Sequence, residues 1–197
     1  MFTGIIECIG ELKEVETSGS NKIFTIQSEI SAQLKVDQSV SHDGVCLTVV
    51  EIKNDTHIVI AVDETLKRTN LSEWKPGQKI NIERAMAANA RFDGHFVQGH
   101  IDAVAAVEKI KEKHGSWIFQ FKLSKSHTGL IVEKGSITIN GVSLTVTTES
   151  KKSFSVAIIP YTYEQTNFSQ LKKGGKVNIE FDVIGKYVKQ MIRMKVI

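Results

Sequence analysis

The sequence carries one six-residue stretch twice, as GVCLTV at residues 44–49 and as GVSLTV at residues 141–146. Five of the six positions are identical, and the two copies lie 97 residues apart. The one change replaces the thiol of Cys46 by the hydroxyl of Ser143. A repeat that keeps its scaffold but changes one reactive atom predicts two related binding sites with different roles.

Comparison of the chain with itself extends this repeat in both directions. At the same offset, residues 40–83 align without a gap, and 16 of the 44 pairs are identical, far above the roughly 6% expected by chance at average residue usage. Near the N-terminus the offset becomes 95, where TGIIE at residues 3–7 faces QGHID at residues 98–102. The chain is therefore a tandem duplication. We assign one unit to residues 1–86, a linker to residues 87–96 and a second unit to residues 97–185.

Both units show the apolar–polar alternation that is typical of β-strands. Alternating runs occupy residues 22–27, 79–83, 117–122 and 176–181. More continuous apolar runs at residues 57–62 and 154–159 predict buried strands. Gly, Asn and Lys-Pro-Gly turns separate these short strands, which favours a small closed barrel in each unit because closure removes sheet edges. Short helical turns are expected at residues 29–34, after Thr65, and at the matching places in the second unit.

The end of the chain has a different pattern. Apolar residues recur at helical spacing from Ile184 to Ile192, with Lys186, Lys189 and Arg193 on the other face. We therefore predict a C-terminal α-helix over residues 186–197, which has no counterpart in the first unit. Such a helix either caps its own barrel or pairs with copies of itself, and we favour self-association.

The composition is that of an ordinary globular protein, with 41% hydrophobic and 24% charged residues and a net charge of +3. This charge is small and evenly spread, so binding to nucleic acid is not expected. No apolar run approaches the roughly 20 residues needed to span a bilayer, and no signal peptide is evident at the N-terminus. We therefore expect a cytoplasmic protein in which Cys8 and Cys46 are reduced.

Differences between the units point to the reactive positions. Three aligned pairs change in chemistry, namely Cys46 with Ser143, Ile5 with His100, and Asp37 with Lys134. A structural role is the alternative for each, since a free Cys is often a small buried hydrophobe, a His between apolar neighbours often lies in a core, and a Lys before Gly is often solvated. Zinc binding by Cys46, His95 and His100 is disfavoured, because their spacing matches no compact site and a fourth ligand is missing. No metal is expected.

Further motifs accompany the repeat. These are MFTGIIE at residues 1–7, ETLKRTNL at 64–71, GHFVQGHID at 94–102 and IPYT at 159–162. In this order, together with the two copies of GV(C/S)LTV, they resemble the riboflavin synthase family over essentially the full chain. The resemblance implies an all-β protein of two tandem six-stranded Greek-key β-barrels, related by internal duplication, plus a C-terminal α-helix. It also implies a homotrimer joined by that helix, with lumazine synthase as a further partner.

The resemblance also implies a transferase reaction, the last step of riboflavin biosynthesis. Two molecules of 6,7-dimethyl-8-ribityllumazine exchange a four-carbon unit, giving riboflavin and 5-amino-6-(D-ribitylamino)uracil without a metal or redox cofactor. The competent site would join the first barrel of one chain to the second barrel of a neighbour. The alternative is a non-catalytic lumazine- or flavin-binding antenna protein, similar to the lumazine proteins of luminous bacteria.

The same resemblance suggests the residues of the site. We expect His100 and Ser143 to serve proton transfer and polar stabilisation at one ring, and Cys46 with Thr48 to contact the other; Thr145 is the fourth catalytic candidate. Expected substrate-binding residues of the first half are Gly4, Ile5, Ile6, Cys46, Leu47, Thr48, Ile60, Ala61, Val62, Asp63, Glu64 and Thr65. Those of the second half are Gly99, His100, Ile101, Lys134, Ser143, Leu144, Thr145, Ala157, Ile158, Ile159, Pro160, Tyr161 and Thr162.

Overall fold

The structure is a computed structural model that describes residues 1–123 and 129–195. Within these residues, twelve strands form two closed barrels. The first barrel contains β1 (Cys8–Ser18), β2 (Asn21–Gln27), β3 (Ser39–His42), β4 (Val45–Lys53), β5 (Thr56–Ala61) and β6 (Lys79–Arg84). The second contains β7 (Ala103–Lys113), β8 (Ser116–Lys122), β9 (Ser136–Ile139), β10 (Val142–Glu149), β11 (Ser153–Ile158) and β12 (Lys176–Phe181).

Both barrels have the same strand order. In the first, the order β1-β2-β5-β4-β3-β6 closes back onto β1, and β7 to β12 repeat it in the second. All neighbouring strands are antiparallel, and β2 pairs with β5 across the β3–β4 hairpin, which gives a Greek key. The prediction of two tandem six-stranded Greek-key barrels is therefore confirmed. A bulge bends β1 between Leu12 and Glu14 and recurs in β7, so the duplication extends to local irregularities.

The repeated stretch forms the start of β4 and of β10. In β4, Val45, Leu47 and Val49 point into the barrel core, and Cys46 and Thr48 between them point outward. In β10, Ser143 and Thr145 take the equivalent outward positions. Burying each aliphatic side chain contributes about 1.5–3 kcal/mol, so the apolar alternation fixes which face of the strand is available to a ligand.

Short helical segments close the barrels. They are α1 (Asp63–Arg68), α2 (Pro160–Gln165) and 3-10 turns at Ser31–Gln33, Asn70–Glu73 and Asn167–Gln170. The predicted turn at residues 29–34 is thus present, and α1 begins two residues before Thr65. The matching turn of the second unit includes residues 124–128 and lies outside the described residues.

The C-terminal helix α3 spans Val183–Arg193 and so begins three residues before the predicted start at residue 186. The cause is Asp182, whose side chain accepts a hydrogen bond from the Ile184 N–H and caps the helix. Residues 196–197 lie outside the described residues. The apolar side chains exposed on α3 are Ile184, Tyr187, Val188, Met191 and Ile192. None of the helices within residues 1–123 and 129–195 is long and apolar enough to cross a membrane.

Two buried histidines distinguish the core of the first barrel. His42 on β3 and His57 on β5 are fully buried, and their Nε2 atoms lie 2.8 Å apart. His42 Nδ1 lies 3.1 Å from the Val40 carbonyl oxygen and must donate to it, which leaves His42 Nε2 to accept from His57 Nε2–H. His57 Nδ1 then accepts from the Ser31 hydroxyl, 2.8 Å away. The contacts therefore require one neutral tautomer of each ring.

Replacing His42 by Ile and His57 by Phe should make the chain less sensitive to acid, because the second barrel has Ile139 and Phe154 at these positions. Burial lowers the pKa of both histidines, that of His57 to about 4. Unfolded histidines bind protons below about pH 6.5, so the free energy of unfolding falls between about pH 6.5 and 4, by up to about 1.4 kcal/mol per pH unit for each ring. Urea denaturation across this range should give a shallower pH slope for the double variant; equal slopes would contradict the prediction.

Candidate functional site

Two extended segments run between the barrels. We call residues 1–7 the N-terminal arm and residues 94–102 the central arm. They pair with each other, since the Phe2 N–H donates to the Val97 carbonyl at 2.8 Å and the Val97 N–H donates to the Phe2 carbonyl at 3.1 Å. Each arm then crosses to the barrel of the other unit: Ile6 packs against the core of the second barrel and Ile101 against that of the first.

Each arm binds the repeated stretch of the opposite barrel at its one variable position. The Cys46 N–H donates to the Gly99 carbonyl at 2.9 Å, and the Ser143 N–H donates to the Gly4 carbonyl at 2.8 Å. A Cβ atom at Gly99 would lie 2.5 Å from Cys46 Cβ, and one at Gly4 would lie 2.6 Å from Ser143 Cβ. Both glycines also have positive φ angles. Only glycine therefore permits this approach of the arm to the strand.

A buried glutamate anchors each arm. Glu83 on β6 accepts hydrogen bonds from the Thr3 N–H at 2.7 Å and the Gly4 N–H at 3.0 Å. Glu180 on β12 accepts from the backbone N–H groups of residues 98, 99 and 100 at 2.7, 2.8 and 3.1 Å. Burial raises the pKa of both carboxyl groups, while these donors favour the charged form. The identical NIE at residues 81–83 and 178–180 was a signal for this role that sequence reasoning did not use.

The first site is a cavity of about 400 Å³ between the first barrel and the central arm. Its lining residues are Val45, Cys46, Glu64, Thr65, Arg68, Thr69, Gly99, His100, Ile101 and Asp102. His100 is exposed to this cavity rather than buried as a core histidine. An ion pair of 2.7 Å between Arg68 and Glu64 forms part of the wall. The cavity is thus lined by a thiol, an imidazole, an ion pair and apolar side chains.

Within one chain, His100 lies with Cys46, whereas the resemblance suggests that His100 acts with Ser143. The reason is the crossing of the arms. His100 belongs to the second unit by alignment, but the central arm places it against the first barrel. Its aligned counterpart Ile5, on the N-terminal arm, is exposed. Ile5 lines a separate cavity of about 480 Å³ between the N-terminal arm, β6 and the linker.

The second site centres on Ser143 and on His95, which sequence reasoning weighed only as a zinc ligand. His95 Nδ1 lies 2.7 Å from Ser143 Oγ, and its Nε2 lies 3.1 Å from Thr138 Oγ1. Burial lowers the pKa of His95, partly opposed by the charge of Asp182, so the ring is neutral near pH 7. A neutral imidazole can accept from one hydroxyl while donating to the other. The pair can therefore polarise Ser143 or free its proton for a ligand.

The other predicted site residues divide by burial. Leu47, Ala61 and Ile158 have their side chains in the barrel cores, so only their backbones face outward. Exposed residues are Thr48, Ile60, Val62, Thr145, Ala157, Ile159, Pro160 and Tyr161. Half-buried residues are Asp63, Leu144 and Thr162. Lys134 is exposed in the turn before β9 with φ 65°, and Asp37 occupies the equivalent turn before β3 with φ 69°.

No three His, Cys, Asp or Glu side chains gather as a metal-ligand group in the described part of the chain. Cys8 and Cys46 are both free thiols and half-buried. Burial raises the pKa of the Cys8 thiol.

Comparisons with known proteins agree with this architecture. The lumazine binding domain family matches the chain twice, at residues 3–85 and 98–182. The chain is 41% identical over 196 residues to the riboflavin synthase of Actinobacillus pleuropneumoniae, covering 99% of this chain and 91% of that protein. It is 42% identical over 189 residues to the riboflavin synthase of Bacillus subtilis (strain 168), covering 95% and 88%.

A solved structure extends the comparison to a bound ligand. LumP complexed with 6,7-dimethyl-8-(1'-D-ribityl) lumazine matches with a TM-score of 0.84 and 25% sequence identity, covering 91% of this chain and 98% of LumP. The sequence identity to the two synthases is higher over a similar share of the chain. The chain therefore belongs to the riboflavin synthase family and consists of two lumazine binding domains.

Proposed function

We propose that this chain catalyses the riboflavin synthase reaction, the dismutation of two molecules of 6,7-dimethyl-8-ribityllumazine into riboflavin and 5-amino-6-(D-ribitylamino)uracil. The observation that supports it most is the pair of arm-and-barrel sites, which share a scaffold but differ in reactive groups. The first has Cys46 with His100, and the second has Ser143 with His95. Two identical substrates must act as donor and acceptor of four carbons, so two related but unequal sites suit the reaction.

The proposed chemistry begins at the 7-methyl group of one lumazine. This group is acidic because its carbanion delocalises into the ring system, and a nearby base must accept its proton. We assign this transfer to His100, which shares the first cavity with Cys46. The second lumazine becomes electrophilic when a nucleophile adds to its ring. The Ser143 hydroxyl, polarised by His95, stands beside the ring in the second site.

Positioning of the two rings should supply much of the rate, because a well-oriented pair reacts as if at very high effective concentration. We propose that the first barrel of one chain faces the second barrel of a neighbour within a homotrimer. The five apolar side chains exposed on α3 support self-association through that helix. Ile60, Val62, Ile159 and Tyr161 are also exposed, and we propose that they line the ring pockets. Association with lumazine synthase and a cytoplasmic location stay predictions.

Replacing Tyr187 and Met191 by Glu should dissociate the trimer, because two charges per chain would enter an apolar contact between helices. We expect monomers that still bind the lumazine but turn over at least tenfold more slowly per chain. Sedimentation and steady-state kinetics measure both effects. The matched control replaces Ser169 and Gln170 by Glu, which adds the same charge at exposed positions away from α3. Monomers with undiminished turnover per chain would contradict an active site shared between chains.

The function itself is tested with purified protein and 6,7-dimethyl-8-ribityllumazine, without an added cofactor. We expect riboflavin fluorescence and the pyrimidine product to rise in equal molar amounts. The similarity to LumP makes a binding protein without catalytic activity the second candidate. Tight binding of the lumazine with no product would favour that candidate and exclude the synthase activity.

A further inference from the structure

The two barrels meet along a buried polar seam whose residues come in pairs related by the repeat. The seam consists of Asp43 with Asn140, Asn70 with Asn167, and Asn81 with Asn178. The backbones are close beside it, since a Cβ atom at Gly44 would lie 2.8 Å from the Gly141 nitrogen. Five of the six seam residues are asparagines, and Asp43 is the exception. Because Asn140 is the aligned counterpart of Asp43, the second unit shows the same position with an uncharged side chain.

Equivalent hydrogen bonds determine which atoms of Asp43 and Asn140 correspond. The Asn81 N–H donates to Asp43 Oδ1 at 2.8 Å, and the Asn178 N–H donates to Asn140 Oδ1 at 2.8 Å. The Oδ1 atoms thus occupy equivalent places. Asp43 Oδ2 therefore lies where the other half has Asn140 Nδ2, a hydrogen-bond donor.

Asn70 and Asn167 also have equivalent backbone hydrogen bonds. The Asn70 N–H donates to Asn178 Oδ1 at 2.9 Å, and the Asn167 N–H donates to Asn81 Oδ1 at 2.7 Å. Asn70 Nδ2 donates to the Lys176 carbonyl at 3.2 Å, so its other amide atom, Oδ1, faces the seam.

The symmetry breaks at the side chains of Asn70 and Asn167. Asn167 Oδ1 accepts from Asn81 Nδ2 at 3.0 Å and Asn167 Nδ2 donates to Asp43 Oδ1 at 2.9 Å, whereas Asn70 forms neither equivalent bond among the described residues. In one half, Asn140 Nδ2 donates to Asn167 Oδ1 at 3.4 Å. The repeat places Asp43 Oδ2 opposite Asn70 Oδ1 in the other half, and both oxygens are buried without a hydrogen-bond partner among the described residues. Two buried acceptors that face each other without a proton are unfavourable, because each has lost its water. A single proton between them would satisfy both.

We propose that Asp43 is an un-ionised carboxylic acid in the folded chain, that its Oδ2–H donates to Asn70 Oδ1 on the first unit's side of the seam, and that its ionisation in alkaline solution lowers the stability of the folded chain. The proton makes Asp43 the counterpart of Asn140, with an O–H in place of an amide N–H. A donor then stands at this position in both halves. This property is separate from the proposed catalytic function, since Asp43 is no part of either site.

The surroundings favour the un-ionised form. Burial raises the pKa of Asp43 to about 8, although the Asn81 N–H and the Asn167 side-chain amide lower it in part. The titratable groups on the elements around it are engaged elsewhere: His42 with His57, Lys79 with Glu11, Glu83 with the N-terminal arm, Arg84 with Glu7, Lys176 with Glu73, and Glu180 with the central arm. None of these groups forms an ion pair with Asp43, so an ionised form would be an uncompensated charge.

The expected pH dependence follows from the difference between the folded and unfolded states. An unfolded aspartate ionises near pH 4, whereas the folded chain keeps its proton until about pH 8. Between these values the folded state binds one proton more, so stability falls as the pH rises. The contribution of Asp43 to the unfolding constant should increase by up to tenfold per pH unit and level off above about pH 8.

The test compares the full-length protein with its Asp43→Asn variant by urea denaturation at a fixed protein concentration. The introduced side-chain amide would donate to Asn70 as Asn140 does to Asn167, so the variant should fold. We expect the unfolding constant of the native sequence, divided by that of the variant, to rise on the order of 10²-fold between about pH 6 and 8. The matched control is Asp37→Asn, at an exposed position that also has a positive φ; its ratio should not change with pH.

A direct measurement on the native sequence does not depend on any variant. In protein labelled with ¹³C-aspartate, the Asp43 Cγ resonance, assigned by through-bond correlations, should be that of a carboxylic acid near pH 6 and should titrate near pH 8. A carboxylate resonance near pH 6, or a stability ratio that is constant with pH, would overturn the proposal.

Discussion

His100→Gln is expected to lower turnover by roughly 10²-fold or more, because glutamine cannot transfer a proton in the step that forms the carbanion. The backbone contact of residue 100 with Glu180 does not depend on the side chain. The central arm should therefore stay in place, and the affinity for the lumazine should change little. Steady-state turnover together with ligand binding measured by fluorescence separates the two effects.

The matched control for this change is His114→Gln. His114 is also exposed, but it lies in the turn between β7 and β8 and lines none of the cavities described above. Its replacement should leave turnover unchanged. Near-normal turnover of His100→Gln would remove His100 from the proton transfer and leave Cys46 and the Ser143–His95 pair as the candidates.

Gly99→Ala should reduce both activity and stability. The added methyl group would lie 2.5 Å from Cys46 Cβ, so the central arm must move away from β4. Overpacking of this kind destabilises by about 1–3 kcal/mol, and a displacement of the catalytic groups by about 1 Å can lower the rate on the order of 10²-fold. Urea denaturation and steady-state kinetics measure the two losses.

Gly77→Ala is the control for Gly99→Ala, because it separates steric contact from backbone strain. Gly77 also has a positive φ, +88° against +81°, but nothing lies within 4 Å of a Cβ atom placed there. Both variants include the strain of a left-handed alanine, about 1–2 kcal/mol. Only Gly99→Ala should lose activity. Equal effects of the two variants would show that the approach of the arm to Cys46 does not matter for the site.

The barrels could be predicted from the sequence because the signals for them are local. Alternation of period two identified β2, β6, β8 and β12 within a residue or so of their ends. Because the units are related by the repeat, each strand predicted in one unit also predicts the equivalent strand in the other. The outward direction of Cys46 and Ser143 also follows from alternation, since valines or leucines flank both.

The crossing of the arms could not be predicted in the same way. Alignment assigns His100 to the second unit, but it does not say which barrel the side chain faces. His95 was missed as a partner of Ser143 because it lies in the linker outside the aligned repeat, where no internal comparison applies. Four of the five seam asparagines are identities of the repeat, but their pairing across the barrels depends on tertiary contacts alone.

The crossing of the arms also determines when each site can form during synthesis of the chain. A ribosome that has reached Arg84 has completed all six strands of the first barrel, but the wall formed by residues 99–102 has not been made. The second site needs Gly4 from the start of the chain and Ser143 from far along it, a non-local contact of the kind that forms slowly. A half-made chain can therefore have a finished barrel and an unfinished pocket. The first pocket can close once residues 99–102 have been made, whereas the second must wait for Ser143.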